Sequence, residues 1–363
     1  MNKISEFNKL LKEKGLDGAI ATNPVNIFYL TGFKGISPTE RESILILTPS
    51  ATLIVPRLYQ KEARSLKSKN LKIRVVAERN QMFKFATDLL KKSKRVGFEE
   101  SDLTYKEYRD LGSNPKMSPT LIATTNLIED LRIIKSEDEI KKIAKAQEIS
   151  QRAFGQIVKT IKIGQTEEEI ADRLAKVIKS QSPQGLAFES IIASGPNSGK
   201  PHHKTGNRKI KKGDVLLLDF GAKYQNYLGD LSRTVIIGRA GAREKNIYSH
   251  VQNAQKKALA KITINTPAVQ VFRVAHNHLK KHRLSEFFIH GLGHGIGLEV
   301  HEEPYLRQSP IGGRLLKNGM VFSVEPGLYF PWGGIRIEDL VTVTNGTAKV
   351  LGKLSKEELV EIT

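Results

Sequence analysis

Cysteine is absent from this 363-residue chain. That excludes disulfide staples, a thiol nucleophile and any thiolate-held zinc or iron–sulfur centre. A bound metal would have to be held by His, Asp or Glu. Long hydrophobic runs are also missing. Residues 215–218 are typical of the longest apolar stretches, far short of the roughly 20 residues that cross a bilayer. The N-terminus is charged throughout and has no apolar segment of a signal peptide, so a cytoplasmic protein is the expectation. Acidic residues are scarce, 38 against 58 Lys plus Arg, which gives a formal net charge of +20. Such an excess raises nucleic acid or an anionic surface as a partner. It is spread over both halves of the chain and is not a basic arm.

The length predicts two domains. Hydrophobic residues at 39% and charged residues at 26% are ordinary for a globular protein, and there is no short fixed repeat or low-complexity tract. The first ~130 residues alternate helical and strand-like patterns, as an α/β domain does. An amphipathic helix through Leu10 and Leu11 ends at Gly15, strands are expected over 18–22, 43–48, 52–56, 73–76 and 96–98, and charged helical segments over 60–69 and 81–92. The character changes near Leu131. Ser136 with Glu139 is a capping box, followed by a helical pattern reaching Ile161. Thr166 with Glu169 is a second, opening a helix through Ile178. Residues 182–207, rich in Gly, Ser, Pro and Asn, read as one long loop, and loops of that length are more often functional than idle. Strands follow over 215–221 and 233–237, helices over 248–262 and 268–283, then apolar segments 320–329 and 335–344.

The chemistry concentrates in that second half. Asp219 ends an apolar run, VLLLD, and Asp230 follows eleven residues later on the returning strand. A hairpin brings them together, and two carboxylates in a low-dielectric place repel unless a proton, a base or a metal intervenes. Taken alone, Asp219 could equally cap a turn and Asp230 face solvent. His290-Gly-Leu-Gly-His294-Gly-Ile-Gly297 has too many glycines for a helix and suits close backbone approach. Glu325 interrupts the apolar segment VFSVEPG, and Glu338 alternates with Ile335, Arg336 and Ile337 at strand period. Two acidic hairpins with a His-Gly loop between them are hard to explain as solvent-facing residues. Four carboxylates and an imidazole suit two divalent ions such as Mn²⁺, Co²⁺ or Zn²⁺. Such a pair lowers the pKa of a shared water and polarises a carbonyl, so the reaction class is metal-assisted hydrolysis.

These strings resemble the pita-bread metallopeptidases of M24 type, the group of methionine aminopeptidase, aminopeptidase P and prolidase. The likeness covers essentially the whole chain and is carried by HGLGHGIGLEVHE, VEPGLY and GIRIED, by residues 17–33, and by LRIIKSEDEI at 131–140. It is greatest to bacterial Xaa-Pro peptidases with a creatinase-type N-terminal domain. The resemblance implies an α/β protein of two domains: a creatinase-like domain over 1–130, and a pita-bread catalytic domain over 131–363, a pseudo-two-fold antiparallel sheet flanked by helices. It implies that Asp219 chelates one ion, that Asp230 and Glu338 bridge both, and that His294 and Glu325 complete the second ion's shell. Glu325 would also take the nucleophile's proton and pass it to the leaving amine, while a hydroxide between the ions attacks. His202 would bind substrate and steady the tetrahedral intermediate, His290 would be the substrate-side His, and His301 would donate toward the scissile region. His203 is the less favoured neighbour of His202. Arg336 would hold ligand carboxylates from behind. The implied substrates are proline-containing peptides, the metal Mn²⁺ before Co²⁺ or Zn²⁺, and the assembly a homodimer. Aminopeptidase P and prolidase are not separable here.

Two departures from the family pattern stand beside Asp230: Gly229 where many relatives have Ser, and Ser232 where they have Thr. Trp332 could shape the substrate cleft or be a plain loop aromatic. The competing reading is a non-catalytic pita-bread protein that binds nucleic acid or protein. It rests on the charge and on two basic groups, Lys200, Lys204, Arg208, Lys209, Lys211 and Lys212, and Arg273, Lys280, Lys281 and Arg283. Neither is interleaved with aromatics as in single-strand binders. An intact ligand set argues against this reading, and equally against creatinase-like hydrolysis without metal.

Overall fold

The computed structural model describes residues 3–35, 37, 40–66, 68, 70–112, 119–309 and 313–363. The chain divides into two compact units, Met1–Arg132 and Ile133–Thr363.

The first unit is a six-stranded mixed sheet with helices. In chain order its elements are α1 Lys3–Glu13, β1 Gly18–Ala21, α2 Pro24–Thr31, β2 Ile44–Leu47, β3 Ala51–Pro56, α3 Gln60–Ser65, β4 Leu71–Val76, α4 Met82–Leu90, β5 Arg95–Glu99, α5 Tyr105–Gly112, β6 Thr120–Thr124 and α6 Glu129–Arg132. The strand order is β4-β3-β2-β1-β5-β6. β1, β2 and β3 pair antiparallel, and the outer pairs are parallel. α1 buries Ile4, Phe7 and Leu11, one face of a helix. All five expected strands are present. α2, α5 and β6 were not expected, and their local signals are weak. α2 spans eight residues and starts at a single cap, Asn23, whose side chain accepts from Val25 N and Asn26 N. β6 is half exposed. The helix expected over 60–69 stops at Ser65, and Lys69 lies outside the described residues.

A buried carboxyl stands at the end of β5. Glu99 Oε2 accepts from Thr22 N at 2.6 Å and Asn23 N at 2.7 Å, and Oε1 from Asn26 Nδ2 at 2.6 Å. Burial pushes it up to about 7, against the pull of those donors. The folded chain therefore holds this proton more tightly than the unfolded chain between its ordinary value of 4.5 and about 7. Its contribution to stability is full below 4.5 and is lost as pH rises to about 7. Urea unfolding at pH 5 and pH 7 is expected to show this loss in wild type and a flatter dependence in Glu99→Gln. Equal slopes in both would contradict it.

The second unit carries α7 Glu137–Ile157, α8 Glu167–Gln181, β7 Ile191–Ser194, β8 Val215–Phe220, β9 Lys223–Tyr224, β10 Tyr227–Leu228, β11 Leu231–Ile237, α9 Ala242–Lys261, α10 Ala268–Lys281, β12 Gly293–Gly295, β13 Glu302–Leu306, β14 Val321–Val324, β15 Gly327–Phe330, β16 Gly333–Arg336, β17 Asp339–Thr344, β18 Thr347–Val350 and β19 Val360–Ile362. Both capping boxes form: Ser136 and Thr166 accept from the backbone of Glu139 and Glu169, whose side chains reach back. α7 ends four residues earlier than expected. Ile157 is its last residue, a 3₁₀ turn follows, and Ile161 is extended although still buried in the core. Two sheets, β19-β11-β8-β7 and β13-β12-β14-β17-β18, and the hairpin β15-β16 are covered by helices that bury Val251, Ala254, Val271 and Ala275.

Residues 182–207 are not a plain loop. β7 lies within them, antiparallel to β8, and a 3₁₀ turn follows over Gly195–Gly199. Its sequence, IIAS, is too short to signal a strand among glycines and serines. The two apolar segments 320–329 and 335–344 each break in the middle. Val324 pairs with Asp339 in one sheet, and Gly327 pairs with Arg336 in the hairpin. Glu325-Pro326 and Ile337-Glu338 therefore face each other where the strand pair leaves one sheet for the next.

Candidate active site

A cavity of about 500 Å³ opens in the second unit, lined by His202, Asp219, Asp230, His290, His294, His301, Glu325, Arg336 and Glu338. Every site residue expected from the sequence lies on its wall. Phe188, Val300 and Tyr305 supply apolar lining, and Arg307 a cation.

Each acidic group is placed by a strand. In the β8–β11 pair Asp219 faces Ser232, and Asp230 stands just before β11. The short pair β9-β10 fills the turn between them. Glu325 stands just after β14, and Glu338 just before β17. His294 lies in β12, between β13 and β14. This explains its glycines. A Cβ on Gly293 would stand 2.0 Å from Ser323 O, and one on Gly295 would stand 2.2 Å from Glu303 O. No side chain fits there, so glycine lets the imidazole come in between two neighbouring strands. Gly229 has a similar cause: a Cβ there would meet the α7 backbone at 2.9 Å, at Ala146 and Gln147. A serine at 229 would push α7 away in this chain. Ser232 keeps the hydroxyl that a threonine would supply, and accepts from Arg336 Nε at 2.8 Å.

The acids are crowded. His294 Nε2 stands 3.2 Å from Glu325 Oε1 and 3.8 Å from Asp230 Oδ2. One ligand atom from each of Asp230, His294 and Glu338 falls within 4.8 Å of the others. Glu338 Oε1 is buried with no hydrogen-bond partner. Burial, then repulsion from Glu338, Asp219 and Glu325, pushes Asp230 well above the carboxylate range. Glu338 is raised in the same way, by burial and then by Glu325 and Asp219. Burial also opposes the charges on Glu325 and His294, but their mutual contact overcomes it. Glu325 is held at about 2 and His294 rises to about 9. His294 Nδ1 lies 3.1 Å from Gly295 O and must donate to it, so in the neutral ring Nε2 is the bare nitrogen. A His that anchors one nitrogen on a carbonyl and turns the other toward carboxylates has the usual arrangement of a metal ligand. An orphaned buried oxygen, crowded carboxylates and a bare imidazole nitrogen all fit divalent cations.

Arg336 organises one side of the cavity. Its guanidinium donates to Asp219 Oδ2 at 2.5 Å, Ser232 Oγ at 2.8 Å and Tyr329 Oη at 2.7 Å. Burial opposes its charge, but Tyr329, Asp219 and Glu325 around it hold it protonated. Tyr329 Oη is also 2.8 Å from His290 Nε2, whose Nδ1 is 2.6 Å from Gly291 O. A carbonyl accepts only, so Nδ1 carries the proton and Nε2 accepts from Tyr329. Both His290 nitrogens are thereby engaged, and the residue lines the cavity. Lysine at 336 has one donor group where arginine has a planar fork. Arg336→Lys is expected to lower activity or metal affinity roughly 10–100-fold, read by steady-state kinetics at several metal concentrations.

Of the paired histidines, His202 lines the cavity. His203 is not among the lining residues and bonds buried Glu167 Oε2 at 2.8 Å. His301 stacks edge-on against His294 at 4.3 Å. Its loop is held by Glu302, which accepts from Leu298 N and Glu299 N and pairs with buried Lys135 at 3.0 Å. Trp332 stacks on Phe330 and under Arg243 and is not among the lining residues. Sequence reasoning missed Tyr329, Ser323, Gln147 and Glu302. Tyr329 and Glu302 fall inside the VEPGLY and HGLGHGIGLEVHE strings, whereas Gln147, which takes Asp230 N at 3.1 Å, lies on α7 with no local signal. Of the first basic group, Arg208 is tied to Asp214 at 2.6 Å.

Residues 141–345 match the model of metallopeptidase family M24, and residues 3–134 match the creatinase/prolidase N-terminal domain. The chain belongs to metallopeptidase family M24. This family membership implies divalent metal ions, makes the chain a metallopeptidase, and bears out the two-domain expectation of a creatinase-type domain before a pita-bread domain. An Xaa-Pro dipeptidase of Pyrococcus horikoshii is 34% identical over 356 residues, covering 98% of each chain. The solved structure of an Xaa-Pro dipeptidase from Bacillus anthracis superposes with a TM-score of 0.91 at 31% identity, over 99% of both chains. That of an X-Pro aminopeptidase from Thermotoga maritima gives 0.87 at 33%, over the whole of both. Among the described residues of this M24 member, no helix is long and apolar enough to cross a membrane.

Proposed function

We propose that this M24 member is an Xaa-Pro dipeptidase, hydrolysing the bond between an N-terminal residue and a following proline. The observation that carries the reading is the meeting of four carboxyl groups, His294 and three further histidines on one cavity wall. Full-length relatives bearing that activity in their names support the substrate class.

Asp219, Asp230, His294, Glu325 and Glu338 would hold two divalent ions, Mn²⁺ first because the donor set is mostly oxygen. Bound there, the ions supply Lewis acidity toward water and toward the scissile carbonyl. The chain's own residues do the rest. Glu325 receives the proton of the attacking water and delivers it to the departing proline nitrogen. Ser323 Oγ, 3.0 Å from Glu325 Oε1, fixes the carboxylate's orientation. His202 and His301 face the cavity with ring nitrogens available to the carbonyl oxygen of the tetrahedral species. His290, held by Tyr329, packs its ring against the substrate. Burial raises Asp219 above the ordinary carboxylate range; Arg336 opposes that rise and aims the carboxyl group.

Arg307 favours the dipeptidase over an aminopeptidase for longer peptides. It lines the cavity and lies over the Tyr305 ring at 4.6 Å. A cation there suits a carboxylate, which in a dipeptide follows proline directly. Arg307→Ala is expected to raise KM for Ala-Pro roughly tenfold or more, as for loss of a charged hydrogen bond, and to leave kcat little changed.

The deciding assay offers Ala-Pro and a longer Xaa-Pro-Xaa peptide to purified protein with Mn²⁺ supplied. Cleavage of the dipeptide alone is expected. No cleavage of either by metal-loaded protein would overturn the reading, and cleavage of the longer peptide alone would move it to aminopeptidase P.

A further inference from the structure

The cavity does not account for all the histidines. His250 on α9 and His278 and His282 at the end of α10 form a second cluster. Their ring centroids are 4.3 Å apart for His250–His282, 4.9 Å for His278–His282 and 5.8 Å for His250–His278. Each ring offers a nitrogen within 4.8 Å of the other two. His250 Nδ1 and His278 Nε2 are screened from solvent and have no hydrogen-bond partner. Packing alone does not explain two unpaired buried ring nitrogens, because a buried polar atom without a partner is costly.

We propose that these three histidines form a second metal site, for a borderline divalent ion of the Zn²⁺ class. His278 and His282 are four residues apart and lie on the same side of the helix, the spacing by which two helical histidines reach one ion. His250 comes from the neighbouring helix, so a bound ion would clamp α9 to α10. Three imidazoles with no carboxylate are a nitrogen set, which suits Zn²⁺, Ni²⁺ or Cu²⁺ and not the oxygen-seeking Mn²⁺ or Mg²⁺. The two sites therefore differ in preference: the cavity is oxygen-rich, and this one is nitrogen-only. Metal–nitrogen bonds of about 2.0–2.1 Å set tetrahedral nitrogens about 3.3 Å apart. The three nitrogens lie within 4.8 Å of one another and would close to that value around a bound ion. A shallow recess beside His278 and His282, lined by Asn277, Lys257 and Lys281, leaves room for a water as fourth ligand. The lysines oppose a cation, but both are exposed and solvent screens their charge. The carbonyl end of α10, with its negative partial charge, favours one.

The test counts metal on the full-length chain. Wild type and the His278→Gln/His282→Gln variant are stripped with chelator and dialysed against low-micromolar Zn²⁺. Bound zinc is then measured by mass spectrometry. The wild type is expected to carry one more Zn²⁺ per chain than the variant, and both are expected to show the same Mn²⁺-supported turnover, since neither residue lines the cavity. Equal zinc content would overturn the site. His282 is exposed, so the single variant His282→Gln is a milder second probe. It is expected to weaken this Zn²⁺ at least tenfold and to remove part of the zinc-induced rise in melting temperature. An unchanged zinc titration in that variant would equally count against the proposal.

Discussion

Glu325→Gln is expected to cut kcat for Ala-Pro roughly 10²–10⁴-fold, the range of general acid–base catalysis. The substitution is nearly isosteric. An amide oxygen could still accept from Ser323 Oγ, now 3.0 Å away, so the local fold is kept. What is lost is a group that takes a proton from water and returns it to proline nitrogen. A secondary amine leaves poorly as an anion, so hydrolysis stalls without that proton. Glu325 also stands 3.2 Å from His294 Nε2, and its replacement weakens the proposed metal shell as well. Kinetics at saturating Mn²⁺ beside a direct metal count separate the two effects. A variant that keeps its metal and its wild-type rate would show that Glu325 is not the proton carrier.

Asp230→Asn and Glu338→Gln are expected to have opposite effects on activity and on the stability of the metal-stripped protein. Both side chains are buried, and each is pushed well above the ordinary carboxylate range by burial and by its acidic neighbours. Four carboxyl groups stand around one arginine and one imidazole. Removing a charge from that cluster relieves repulsion and desolvation, so the stripped variants should unfold at the same or higher denaturant concentration than stripped wild type. Divalent ions reverse the order. A ligand at 100 times its Kd stabilises the folded state by about 2.7 kcal/mol, and only the intact acid set gains this in full. Wild type should therefore respond strongly to Mn²⁺ and to chelator, and the variants weakly. Their activity should fall by more than the roughly 10–100-fold usual for outer partners of a metal. Denaturation with and without Mn²⁺, together with bound metal per chain, checks this. Stripped variants clearly less stable than stripped wild type would mean that the carboxylates serve the fold and not a cation.

Much of the architecture was legible in the residues. Ser136–Glu139 and Thr166–Glu169 announced two helices because a capping box is a local device, complete within four residues. The strands of the first unit were legible because their apolar runs are bounded by turn residues. β7 was hidden because its four residues gain stability from β8, twenty and more positions away. α2 was hidden because its signal is one Asn cap and a short apolar run. The acidic and histidine positions were legible through the strings that contain them. Tyr329 was not assigned a task, since its role depends on His290 and Arg336, each approached from a different part of the chain.

The sequence by itself determined the ligand inventory. Without cysteine, any metal chemistry had to rest on His, Asp and Glu, and their strings identified the family. Only the tertiary structure decided how crowded those groups are, because charge repulsion and burial depend on distances between strands far apart in the chain. It also parted two neighbouring histidines. His202 and His203 are adjacent in sequence, yet one faces the cavity and the other is tied to Glu167. Gly229 and Gly293 likewise take their meaning from a backbone that passes too close for any side chain. The histidines of α9 and α10 are scattered in sequence, and only the packing of two helices brings their nitrogens together.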